Sequence, residues 1–150
     1  MTMAAEAFVD TNVLLRAFHS TFPEHERVRA LFDRLLDEEY ELWISRQVIR
    51  EYLVQVTHPR TFVPALTLEQ VLHQLATFET LFHIADETHE VTAHLLALLQ
   101  TYQIRGKQIH DANIVATMHA HNLGTLLTLN VDDFRRFADR IAILTPETTS

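Results

Sequence analysis

The chain has 150 residues, 47% of them hydrophobic and none of them cysteine, which allows one sizeable core and excludes disulfides, thiolate metal sites and a cysteine nucleophile. A formal net charge of −8 has the wrong sign for a non-specific coat on duplex DNA, but it leaves room for a nuclease whose metal ions neutralise an acidic pocket. No apolar run exceeds five residues and the opening MTMAAEAF carries no basic leader, so the expectation is one cytoplasmic domain over 1–150 with no membrane span.

Phe8-Val9 reads as a strand end, followed by a short helix over 12–18. Residues 24–39 place Val28, Leu31, Phe32, Leu35 and Leu36 at helical spacing, with Pro23 at the start. ELWIS (41–45) reads as a strand, and Ser45 as the N-cap of a helix running to about 57, where His58-Pro59 stops it. In that helix Ile49, Leu53 and Val56 define the expected buried stripe, with Val48 and Tyr52 on its shoulder. Thr67 caps a helix over LEQVLHQLATFE, with Glu69 and Gln70 in its first turn. LFHIA (81–85) is a strand, and Asp86 is expected to cap the helix through Leu95, Leu98 and Leu99. A further helix spans 109–121, closed by Asn122, Leu123 and Gly124. TLLTL (125–129) and RIAIL (140–144) are the last strands. This alternation predicts an α/β fold with a central, mainly parallel sheet of four or five strands and helices on both faces. Ligand sites in such sheets gather beyond the carboxyl ends of the strands, and Asp10 stands at one of them.

An isolated Asp after a strand is ordinarily a helix cap, so Asp10 carries weight only if other acids converge on it. Glu51 borders the apolar stripe of its helix and, alone, reads as a solvated glutamate. Asp111 is more informative. With Ile114, Val115 and Met118 at i+3, i+4 and i+7, it heads an apolar stripe and points inward, where a charge needs a partner, a metal or a proton. Thr128 and Asn130 follow a strand end, and Asp132 and Asp133 open a short helix whose acids suit a helix N-terminus. The ten histidines are dispersed, with neither HExxH nor another zinc spacing.

FVDTNVLL, the acid within SRQVIREYL, IHDANIVATMHAHN and LLTLNVDDF resemble, in that order, the four motifs of the PIN domain, and in size the chain resembles the VapC-like toxin branch. The resemblance runs from Phe8 to about Ile143. It implies that Asp10, Glu51 and Asp111 bind Mg²⁺ or Mn²⁺ and are the catalytic acids. It also implies that Thr11, Asn12, Ser45, Thr128 and Asn130 support them. Asn130 stands where many members carry Asp, so Asp133 is the candidate for a fourth ligand. Arg105 and Lys107, just before Asp111, are candidate contacts to substrate phosphate. The activity implied is a metal-dependent endoribonuclease acting on single-stranded or structured RNA, dimeric and held by a cognate antitoxin. The competing reading is a degenerate domain serving as an RNA- or protein-binding scaffold, which the change at Asn130 favours and the three acids oppose.

Overall fold

The structure is a computed structural model that describes residues 3–146; the outermost residues of the expected 1–150 domain lie outside that range. Its strands are β1 (Glu6–Val9), β2 (Glu41–Ser45), β3 (His83–Ala85), β4 (Thr125–Leu127) and β5 (Ala142–Leu144). They form one sheet in the order β3-β2-β1-β4-β5, and every neighbouring pair is parallel. β1 lies at the centre. Ala7, Phe8 and Val9 are all fully buried there, and since successive side chains point to opposite faces, both faces of the sheet are covered.

The helices are α1 (Thr11–Phe18), α2 (His25–Asp37), α3 (Arg46–Thr57), α4 (Leu68–Leu81), α5 (His89–Thr101), α6 (Gln108–Ala120) and α7 (Val131–Phe134), with a 3-10 turn at Arg135–Phe137. α1 packs on α2 and α3, while α5 packs on α6. Edge-to-face rings knit the first group: Phe18 meets Phe78 at 5.1 Å and Phe32 at 5.7 Å between centroids, and Tyr52 meets Phe78 at 5.0 Å. Such pairs stabilise by about 0.5–1.5 kcal/mol beyond the area they bury. Caps fall where small polar residues stand. Thr67 and Gln70 form a reciprocal capping box at α4, and Ser45 Oγ accepts from Val48 N at α3.

Several expectations are corrected, and the last two strands are each two residues shorter than expected, β4 ending at Leu127 and β5 starting at Ala142. Asp86 does not cap α5; Thr88 holds the N-cap position, and the Asp86 carboxylate is drawn instead to Arg46 Nε at 3.1 Å. The third strand starts at His83, because Leu81 ends α4 and Phe82 closes it by donating its N–H to Phe78 O. The buried face of α3 is Gln47, Val48, Tyr52 and Val56, with Ile49 and Leu53 only half-buried. Tyr52 turns inward because its ring packs on Phe78 while its hydroxyl bonds His19 Nε2 at 2.7 Å.

The strand order reverses direction between β1 and β4. β2 and β3 extend the sheet on one side of β1, whereas β4 and β5 extend it on the other. A crevice opens at such a switch point because the connections leave the two strands toward opposite sides. Asp10 follows β1 and Thr128 follows β4, so both stand at its mouth.

Candidate active site

Asp10 is the N-cap of α1 as well as a buried acid. Its N–H continues the sheet by donating to Leu127 O at 3.0 Å, and its Oδ1 accepts from Thr11 N at 2.8 Å. Oδ2 accepts from Thr128 Oγ1 at 2.8 Å and from Asn12 Nδ2 at 3.0 Å. Burial pushes its carboxyl up to about 6 against these hydrogen bonds, of which Thr128's opposes the rise most, and Glu51's charge adds to the rise. Asn12 also ties the two strand ends together, its Oδ1 accepting from Leu129 N at 2.9 Å. Thr128 Oγ1 in turn accepts from Asn130 N at 3.1 Å. Thr11, Asn12, Thr128 and Asn130 therefore converge on Asp10. Ser45 does not: fully buried, its hydroxyl is used in capping α3.

Glu51 arrives from α3. Its Oε1 accepts from Thr11 Oγ1 at 2.8 Å, a contact between residues 40 apart that brings the second acid to the first. Asp111 comes from the first turn of α6 and heads the buried residues Ile114, Val115 and Met118, as its spacing predicts. Its carboxyl is pushed up to about 7, first by burial and then by the charges of Asp133, Asp10 and Glu51, with Arg136 opposing. Asp133 is exposed at the start of α7, close enough to act on Asp111 through space, whereas Asp132 pairs with Arg135 at 2.7 Å.

Asp10, Thr11, Asn12, Glu51, Asp111 and Asn130 line one cleft of about 490 Å³. Leu15, Phe22, Val54 and Phe62 add apolar surface to the same lining. Arg105 and Lys107 are exposed in the turn before α6, outside that lining. The basic residue that does line it is Arg16, one turn beyond Asn12 on α1. Arg16 Nη1 donates to Asn12 O at 3.1 Å, Nε donates to Glu24 at 2.8 Å, and the guanidinium lies 4.7 Å from the centre of the Phe22 ring. The i+4 spacing from Asn12 is the signal by which the sequence could have marked it. Gln47 carries the same i+4 signal toward Glu51, but its two shorter hydrogen bonds go to the distant helix α6 and left no mark in the sequence.

The donor set is all oxygen, the kind that hard divalent cations take. Two of its carboxyls are pushed well above the ordinary acid range, chiefly by burial, so their ionised forms lack the counter-charge that a cation would supply. Among the described residues no three His, Asp or Glu side chains form a ready-made cluster around a metal position. An ion in this cleft would thus rest on few carboxylates and keep several waters, the usual habit of Mg²⁺. The residues fit such an ion. No described helix is long and apolar enough to cross a membrane.

Comparison with known proteins gives a consistent result. The profile of the PIN domain matches residues 7–140. Ribonuclease VapC48 of Mycobacterium tuberculosis is 27% identical over 130 residues, covering 85% of this chain and 89% of its own. Among solved structures, VapBC2 from Rickettsia felis bound to a promoter DNA fragment is 22% identical with a TM-score of 0.65, covering 93% of this chain and 98% of that one. A toxin–antitoxin complex from Klebsiella pneumoniae is 23% identical with a TM-score of 0.65, covering 93% and 97%. These two likenesses establish the fold.

Proposed function

The chain belongs to the PIN-domain family, and from that premise we propose that it is a metal-dependent endoribonuclease, the toxin of a toxin–antitoxin pair. The observation that carries the reading is that Asp10, Glu51 and Asp111 line one cleft, where the charges of Asp10, Glu51 and Asp133 all act on Asp111. A scaffold has no use for such mutual repulsion, whereas a cation relieves it. Asp10, Glu51 and Asp111 would hold Mg²⁺ or Mn²⁺ between them, partly through its waters, with Asp133 at the edge and Asn130 beside it. A bound ion supplies Lewis acidity at the phosphodiester. Thr11 fixes the Glu51 carboxylate, while Asn12 and Thr128 fix that of Asp10. Arg16 takes the phosphate next to the one cleaved, by charge-assisted hydrogen bonds. Arg105 and Lys107 meet RNA farther out. The ribonuclease relative and the toxin–antitoxin complexes of matching fold support the extension to a cognate antitoxin, and we extend it to a homodimer acting in the cytoplasm.

The test is cleavage of end-labelled single-stranded RNA with Mg²⁺ or Mn²⁺ and in excess chelator, for the wild type and Asp10→Asn. Cleavage that needs the cation and is lost in the variant is expected. Undiminished cleavage in chelator, or by the variant, would rule the reading out.

A further inference from the structure

We propose that Gln47 is a positioning residue that sets Glu51 and Asp111 relative to one another, an inference that rests on the nuclease reading above. Gln47 lies in the first turn of α3, one turn before Glu51, and its side chain is buried. A buried primary amide must satisfy both donors and its carbonyl. Here Nε2 donates to His110 O at 2.8 Å and, at a longer 3.4 Å, to Glu51 Oε2, while Oε1 accepts from Asn113 Nδ2 at 2.8 Å. The partners bracket the site. Glu51 is one of the acids, His110 directly precedes Asp111, and Asn113 follows it by two.

The placement matters because Asp111, unlike Asp10, receives no hydrogen bond to its carboxylate among the described residues, so its position follows from where the start of α6 is held. α3 and α6 make little other backbone approach to each other. One amide therefore joins the helix of the second acid to the helix of the third. Neither Glu nor Leu at position 47 reproduces this pattern. Glu lacks the donors and adds a charge, and Leu lacks donor and acceptor alike.

The experiment measures Mn²⁺ affinity by titration calorimetry, thermal midpoints in chelator, and kcat and KM on single-stranded RNA, for the wild type, Gln47→Leu and Asn113→Ala. Ligand-orienting residues around metal sites typically change metal affinity or activity about 10–100-fold. Gln47→Leu is expected to lose Mn²⁺ affinity by that order and to lower kcat with KM within about twofold, while remaining folded in chelator. Asn113→Ala, which removes one of the three bonds at a half-buried position, is expected to show a smaller loss of the same kind. A folded Gln47→Leu with wild-type Mn²⁺ affinity and kcat would overturn the proposal. Should Gln47→Leu fail to fold, Asn113→Ala decides, and its indifference would overturn it equally. If the wild type itself binds no Mn²⁺, the nuclease reading falls first and the positioning role falls with it.

Discussion

Replacing Asp111 by Asn separates a carboxylate kept for function from one kept for the fold. Asn is nearly isosteric, and Asp111 has no hydrogen-bond donor on its carboxylate to lose among the described residues. What disappears is a charge that burial, Asp133, Asp10 and Glu51 all oppose. A rise from the ordinary 3.8 to about 7 corresponds to roughly 4 kcal/mol. For a group that is only half-buried, solvent screening reduces this to about 1–2 kcal/mol. In chelator at pH 8 the variant should therefore melt above the wild type, by about 3–6 °C for a chain of this length. The sign of the pH dependence follows from linkage. Between about pH 4 and 7 the native carboxyl keeps a proton that the unfolded one has released, so the wild type loses stability as pH rises through that window and levels off above it. The variant has no such group at position 111, and Asp10, raised to about 6, contributes the same slope to both proteins, so the gap between the two should narrow toward pH 5. His19 and His119 are both depressed, chiefly by burial, and give the opposite slope, but they do so in both proteins and cancel in the difference. Scanning calorimetry at pH 5, 6.5 and 8, with and without Mn²⁺, reads the effect. A variant that melts at or below the wild type at pH 8 in chelator would refute the reasoning, as would a gap that does not narrow at pH 5.

Four further outcomes can be checked on the same preparations. Ser45→Ala removes the cap on Val48 N and should lower the midpoint by an amount equivalent to about 1 kcal/mol, leaving Mn²⁺ affinity unchanged; a lost Mn²⁺ site would return Ser45 to the residues that support the acids. Thr128→Val takes a donor from the buried Asp10 carboxylate, so a loss of about 1–3 kcal/mol in urea denaturation is expected, with weakened Mn²⁺ binding; a neutral result would mean that Asn12 and Thr11 hold Asp10 alone. Arg16→Ala should raise KM for RNA several-fold with little change in kcat, and an unchanged KM would remove Arg16 from the substrate track. The double replacement of Arg105 and Lys107 by Ala should raise KM less than Arg16→Ala does; a larger effect would put the RNA path along the turn before α6.

The sheet and most of the helix boundaries were readable from periodicity and breakers because local composition and burial agree there. ELWIS and TLL are apolar because both faces of their strands are covered, and Thr67 caps because nothing tertiary competes for its hydroxyl. Asp10 and Asp111 could be singled out for a similar reason, since an acid at a strand end or at the head of an apolar stripe contradicts its surroundings. Where the sequence misled on which way a side chain faces, the cause was a partner remote in the chain. Asp86 is turned from a cap by Arg46, 40 residues away, and the buried face of α3 is rotated toward Tyr52 by a ring on α4 and a histidine after α1. Gln47 drew no notice in the sequence because its two shortest hydrogen bonds reach residues 63 and 66 positions downstream.

The pairing of β1 with β4 also bears on how such a protein is made. Asp10 emerges early from the ribosome, but the hydroxyl that orients its carboxylate belongs to a residue 118 positions later. At roughly 5–20 residues per second of synthesis, that hydroxyl follows by about ten seconds. Until then β1 lacks β4 beside it, although α6 with the third acid has already been made. A partly synthesised chain, or one truncated before residue 128, cannot assemble this constellation. The cleft is therefore among the last parts of the fold to be completed as the chain is made.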